Sequence, residues 1–277
     1  MSKLLREDVR KKVERLGSLP TIPPTITELL RLMDSEDVSL KEIADFISRD
    51  QSLSARILKI INSPVYGFPG RISSINQSLV LIGTGALKGM LLGVSIFDIM
   101  EKTMVGLWEH SIGTAIAAKI IAAKAGIKEI EDASVVGLIH DIGKVALGVC
   151  YPELYKETLN IAKENQIYIF DAEEKILGVN HAEAGSWLAR KWNFPFSLVY
   201  PIEYHHRPSM KRSSVMVSIA HIADSVIKMM GFGFSGDQFA YRIDKDSLDA
   251  VGITTKDFTD IFGEIEMAIS DKESFVL

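Results

Sequence analysis

Apolar residues recur at three- and four-residue steps along nearly the whole chain and almost never in strict alternation. That period belongs to amphipathic helices rather than strands. Pro23-Pro24 suits a helix start, and Leu29, Leu30, Leu32 and Met33 follow as one apolar stripe. Ser39-Leu40-Lys41-Glu42 reads as a capping box, with Glu42 placed to reach back to the Ser39 amide. The helix it opens runs through Ile43, Phe46 and Ile47, and Asp50 is placed to cap the next, carried by Leu53, Ile57, Leu58 and Ile61. Asn62 to Gly70, punctuated by Pro64, Gly67 and Pro69, reads as a loop. Helical spacing resumes over 75–81 and 86–100, then over 108–124, 131–147, 152–164, 171–178, 181–191, 196–206 and 213–230. The tail from Gly231 is looser, with one further amphipathic piece at 255–269. The pattern predicts an all-α protein.

Punctuation divides it softly near 101–106, giving an N-terminal helical region (1–106), a second helical region (107–230) and a C-terminal helical tail (231–277). The apolar stretch 83–100 is interrupted by Lys88 and Asp98, so it reads as a buried helix and not a membrane span. The N-terminus is charged and amphipathic, without the apolar core of a signal peptide. A hydrophobic content of 47% with 24% charged residues excludes a disordered chain. The net charge of −5 offers no footprint for general nucleic-acid binding. The single cysteine, Cys150, excludes an internal disulfide and fits a reducing cytoplasm. It has no partner for nucleophilic duty and reads as a small core residue.

The chemistry lies in the histidines. All six fall between His110 and His221, and none occurs in the first 109 residues. They stand as His110, His140-Asp141, His181, His205-His206 and His221, with Asp224 close behind. Neutral imidazoles with carboxylates are the ligand set of a borderline divalent metal such as Fe, Mn, Zn or Ni. Neighbours on a helix point about 100° apart, so His140 and Asp141 converge on one centre only if the doublet lies at a helix end or beside the metal. Gly143 would let another backbone come close. A bridging Asp141 could hold two ions, with His110, His140 and Asp224 around one, and His181, His205 and His206 around the other. His221, three residues before Asp224, reads first as core packing and second as a ligand or supporting group. Lys144 and Arg207 are candidate phosphate contacts, each weighed against a solvated surface cation.

His110, His140-Asp141 with Gly143-Lys144, and Asp224 follow the H…HD…D order of the HD metal-dependent phosphohydrolase superfamily. More specifically the chain resembles the HDOD family, HD-related output domains of bacterial signalling. The residues that carry this are Leu19 to Pro23, Ser39–Ile47, Asp50 with Leu53 to Ser63, Trp108 to Ser111, Gly137 to Lys144, Gly178 to His181 with Gly185, Trp192, Pro195, and His205 to Pro208. The resemblance implies an HD-like helical bundle with an N-terminal helical region packed on it, and a role in signal transduction often coupled to degenerate catalytic machinery. Members commonly read Asp-Pro at Asp50-Gln51; more consequentially, all HD-type ligand positions are occupied here. The related HD-GYP phosphodiesterases need an HHE…DG.GYP stretch where this chain reads His206-Arg207-Pro208-Ser209, and can place a Glu where it has Gly106.

Three functions follow as expectations. One is a cytoplasmic regulatory module that binds a signalling partner or a nucleotide, with one or two divalent ions setting its conformation. Another is hydrolysis of a phosphoester, with Asp141 and Lys144 nearest the chemistry. The last is a purely structural ion. No basic recognition helix points to DNA, and no membrane association is indicated. Met229-Met230, Phe232 and Phe234 form either a docking patch or, more simply, core.

Overall fold

Side-chain caps set several helix starts. Ser39 accepts from the Glu42 amide at 3.2 Å while the Glu42 carboxylate accepts from the Ser39 N–H at 2.8 Å, the reciprocal pair of a capping box. Asp50 accepts from the Leu53 amide at 3.0 Å. Asn180 caps the helix beginning at His181, accepting from the Glu183 amide at 2.9 Å. The computed structural model describes residues 5–16, 24–33, 35, 38–63 and 72–270. The Leu19–Pro23 motif and most of the predicted Asn62–Gly70 loop lie outside them.

Among the described residues there are α-helices and no strand. In order they are α1 (Arg6–Leu16), α2 (Pro24–Met33), α3 (Leu40–Ser48), α4 (Gln51–Ile61), α5 (Ile75–Thr103), α6 (Leu107–Lys124), α7 (Ile130–Ile139) and α8 (Ile142–Cys150). Then come α9 (Pro152–Asn165), α10 (Ile169–Leu177), α11 (His181–Lys191), α12 (Phe196–Tyr204), α13 (Val215–Met230), α14 (Lys245–Val251) and α15 (Thr255–Ile269). The protein is all-α, as the periodicity predicts.

Three details differ from the pattern. The predicted helix over 131–147 is two, α7 and α8, broken at the His140-Asp141 doublet. The two predicted helices over 75–100 run together as α5, with Gly83 (φ 77°, ψ 169°) marking the kink between them. The tail holds a second helix, α14, which seven residues were too few to reveal by period.

Most elements pack around one large apolar cluster that runs from Val9 and Val13 of α1 to Ile265 and Ile269 of α15, and a small second one, Ala162, Ile169 and Ala172, joins α9 to α10. Helices α2, α3 and α4 lie on α5, which packs in turn on α7 and α8. Helices α6, α7, α12 and α13 form the central bundle, and α11 lies on α8 and α12. Helix α1 folds back onto α8 and α11, where Lys12 sits 4.1 Å over the Tyr151 ring and Arg6 pairs with Glu183. Most of the apolar run Ile130–Cys150 is buried inside this bundle. Met230 and Phe232 pack against the core, while Met229 and Phe234 are exposed.

Two close approaches fix the bundle centre. A Cβ on Gly143 would meet the His181 carbonyl oxygen at 1.8 Å, so α8 and α11 touch backbone to backbone there. A Cβ on Gly137 would meet the Thr114 carbonyl oxygen at 2.5 Å, which brings α7 against α6.

Candidate metal centre

The seven predicted ligands reach the bundle centre mostly from helix ends. His140 caps the C-terminus of α7 and Asp141 stands immediately before α8, so the turn between them aims both side chains inward. His181 opens α11, and His205-His206 follow the last residue of α12. His110 comes from the first turn of α6, and Asp224 from the middle of α13.

They form two groups, His110, His140 and Asp224 in one, and Asp141, His181, His205 and His206 in the other, with ligand atoms within 4.8 Å of one another in each. Asp141 joins them. Its Oδ2 lies 3.3 Å from His140 Nε2 and 3.6 Å from His110 Nε2, while its Oδ1 lies 3.3 Å from His181 Nε2 and 3.8 Å from His205 Nε2. Asp224 Oδ1 is 3.1 Å from His110 Nε2, and its Oδ2 is 3.9 Å from His206 Nδ1.

Supporting contacts set the imidazole tautomers. His140 Nδ1–H donates to the Gly137 carbonyl at 2.8 Å, and His205 Nδ1–H to the Ile202 carbonyl at 2.9 Å. His181 Nδ1–H donates to Glu173 Oε2 at 2.6 Å. Each ring is thereby left with a bare Nε2 lone pair facing the centre, the arrangement a metal-ligating histidine takes. Asp141 Oδ1, His205 Nε2, His206 Nδ1 and Asp224 Oδ1 are all buried with no hydrogen-bond partner. Orphaned acceptors converging in a protein interior are costly unless a cation satisfies them, so the donor set fits a divalent ion.

The electrostatics agree at both carboxylates and at His205 and His206, while His140 is raised because Asp141 outweighs its burial. Burial alone would raise the Asp141 pKa, but His140, Lys144 and His181 outweigh it and hold the carboxylate well below its ordinary range. Asp224 is likewise lowered, with burial opposed by Lys228, His110 and His140. Burial, then the surrounding imidazoles, pushes His205 and His206 well below the ordinary histidine value. Anionic carboxylates and neutral imidazoles are the forms that ligate.

The remaining candidates fall elsewhere. Lys144 is fully buried with its Nζ 2.5 Å from Asp141 Oδ2, so it is not the solvated surface cation weighed against a phosphate contact. Arg207 is on the exterior, ion-paired with Glu174 at 3.0 Å and 4.7 Å over the Phe170 ring. His221 lies outside both groups: its Nδ1–H donates to the His205 carbonyl at 2.7 Å and its Nε2 accepts from the Asp244 amide at 3.0 Å. It anchors the turn that carries the His pair. Gly106, where HD-GYP proteins can place a Glu, has φ 91°, and its carbonyl accepts from both the His110 and Phe234 amides.

Sequence reasoning missed Glu173, Tyr155 and Lys228. Glu173 is fully buried and accepts from the Tyr155 hydroxyl at 2.9 Å, the His181 amide at 2.8 Å and His181 Nδ1. The signal was present: Glu173 sits on the face of α10 otherwise made of Ile169, Phe170, Ala172 and Leu177, where a lone carboxylate needs a reason. Lys228 follows Asp224 by one turn, with its Nζ buried 3.1 Å from Asp237.

This architecture defines an all-helical module with a histidine–aspartate centre shared between helix ends. The chain belongs to the HDOD family, matching the HDOD domain over residues 19–208. It is 29% identical to an uncharacterized protein of Treponema pallidum over 197 residues, 70% of this chain but 38% of that protein, so it spans about two fifths of that relative. The fold recurs in an HDOD domain protein of unknown function from Geobacter sulfurreducens, at 24% identity and TM-score 0.67 over 95% of this chain and 98% of that one. It recurs also in a candidate phosphohydrolase from Shewanella amazonensis, at 22% identity and TM-score 0.67 over 96% of this chain and 95% of that one.

Proposed function

We propose that this chain is a cytoplasmic regulatory HDOD module of bacterial signalling, in which a divalent metal centre fixes the helix arrangement that a partner protein or nucleotide reads. His110, His140, Asp141 and Asp224 would hold one ion, and Asp141, His181, His205 and His206 a second. When bound, such an ion would supply Lewis-acid polarisation of coordinated oxygen and cross-link the helices. The observation that carries this reading is closure: every ligand side chain is at most 2% exposed, and the Lys144 ammonium is spent on Asp141. A centre that joins six helix ends and bundle positions while sealed from solvent is built to couple metal occupancy to conformation. Fe, Mn, Zn and Ni all suit the His/Asp set.

Partner capture from a bacterial lysate, with metal-loaded and chelated protein side by side and with nucleotide present or absent, tests this. The regulatory reading predicts a partner retained by one state only. The same recovery from both states, or none from any, contradicts it.

A metal-dependent phosphohydrolase is the second reading, favoured by the completeness of the ligand set and by Asp141 spanning both groups. In it Asp141 and Lys144 would stay nearest the reacting phosphate, with Arg207 outside the centre. A screen of nucleotides and generic phosphodiesters with Mn or Fe restored tests it; turnover no greater than that of an Asp141→Asn control excludes it.

A further inference from the structure

The buried charges around the centre do not balance. Four carboxylates, Asp141, Asp224, Glu173 and Asp237, face two ammoniums, Lys144 and Lys228, all with side chains no more than 4% exposed. Two negative charges are left over among these buried side chains, and one divalent cation cancels them. A second would leave the same region with two uncompensated positive charges, a costly state in low dielectric.

Beside His110 lies a cavity of about 310 Å³, lined by Lys228, Ser235, Asp237, Gln238 and the loop from Gly231. That volume is at the small end of ligand pockets. Ser235 is 2% exposed, and its Oγ is buried with no hydrogen-bond partner, so it offers a free hydroxyl donor. Lys228 Nζ is held there by Asp237 at 3.1 Å, one of three bonds an ammonium can donate. The loop turns through Gly231, Gly233 and Gly236, all at positive φ, and docks by the Phe234 amide donating to the Gly106 carbonyl at 2.8 Å. A Cβ on Gly233 would meet the His110 backbone nitrogen at 2.2 Å, so only glycine lets the loop sit this close to the centre. Lys228 and Ser235 lie beyond the stretch that matches the HDOD domain, residues 19–208.

We infer that this cavity binds a phosphate group, free or as a phosphomonoester, between Lys228, Ser235 and His110, and that the anion and a second divalent ion enter as a pair. A dianion restores the charge balance that the second ion upsets. The inference rests on the metal-centre reading and names the ligand that would set its occupancy.

The test is equilibrium dialysis of the full chain with Mn²⁺, in phosphate-free buffer and with inorganic phosphate or adenosine monophosphate added, alongside calorimetric titration of each anion. One equivalent of Mn²⁺ is expected without phosphate and two with it, and by reciprocal linkage the anion should bind more tightly to Mn²⁺-loaded than to chelated protein, by about tenfold. Tighter binding of the monophosphate would identify an ester as the occupant, and tighter binding of the inorganic ion free phosphate. Ser235→Ala should weaken the anion about tenfold and leave the first Mn²⁺ equivalent unchanged; Lys228→Gln, which removes a positive charge that the second ion would otherwise meet, should also weaken the anion about tenfold and let the second Mn²⁺ equivalent bind with less dependence on phosphate. Two equivalents taken up without phosphate, or unchanged anion affinity in both variants, overturns the inference. No Mn²⁺ bound under any condition overturns the metal-centre reading itself, a result seen before any anion is added.

Discussion

Glu173 shows how much one side chain outside the ligand set can carry. It accepts three hydrogen bonds in a fully buried position, two of them from His181. Glu173→Ala strands the Tyr155 hydroxyl and two His181 donors, at roughly 1–3 kcal/mol for each unsatisfied group. Loss of such a supporting partner typically weakens a metal by about 10–100-fold. Glu173→Gln keeps an acceptor and should fall between. Denaturant unfolding and metal titration of both variants check this; affinities within about twofold of the parent would show that Glu173 does not orient His181. At the same scale, burial pushes the Cys150 thiol up to about 11. At pH 8 it should react with an aromatic disulfide roughly two orders of magnitude more slowly than a free thiol, because the thiolate is the nucleophile. Reaction at the free-thiol rate would place Cys150 outside the core.

The imidazoles make acid stability a residue-scale property too. In metal-free protein His205 and His206 are held well below the ordinary histidine value, and His110 is lowered by burial. The unfolded chain takes up protons below about pH 6.5 that these folded residues refuse, so their stabilisation is complete above that value and lost as pH falls. His140, raised because Asp141 outweighs its burial, works in the opposite sense but is one group against three. The melting temperature of chelated protein should therefore drop between pH 7 and pH 5. A flat or rising profile would mean the pair is solvated.

Between elements, the contact that positions the centre is α8 against α11. Gly143→Ala places a methyl 1.8 Å from the His181 carbonyl and 2.6 Å from the Gly185 nitrogen, both backbone atoms that cannot step aside. Overpacking of this kind costs about 1–3 kcal/mol or more. Because His181 moves with α11, the variant should lose both stability and bound metal, read by calorimetry and elemental analysis. Stability retained with full metal content would show that the helices separate without cost. Much of this level is legible in the sequence: Gly143 reads as a point of close backbone approach, the Ser39 box and Asp50 cap start their helices, and α11 begins at His181. The split of 131–147 was not legible, because the residues on both sides of His140-Asp141 are apolar and periodicity cannot see a turn inside a wholly buried run. Lys228 and Asp237 escaped for a different reason, since their pairing depends on how the loop after α13 folds back.

Across the whole molecule, an H…HD…D order spread over more than a hundred residues has become two groups of ligands that share one carboxylate. The spacing in sequence named the residues; only the bundle, with α6, α7, α8, α11, α12 and α13 meeting at their ends and faces, could say that Asp141 spans both groups and that solvent is excluded. Metal occupancy and folding should then be one equilibrium, with chelation lowering the melting temperature by an amount that restored metal reverses. The central claim, a metal centre in which Asp141 is shared, is tested most directly by elemental analysis of anaerobically purified protein beside an Asp141→Asn variant of matching helicity. The account predicts at least one equivalent of Fe, Mn, Zn or Ni per chain in the parent and its loss in the variant. A folded parent that carries no metal and takes none up on reloading would contradict it.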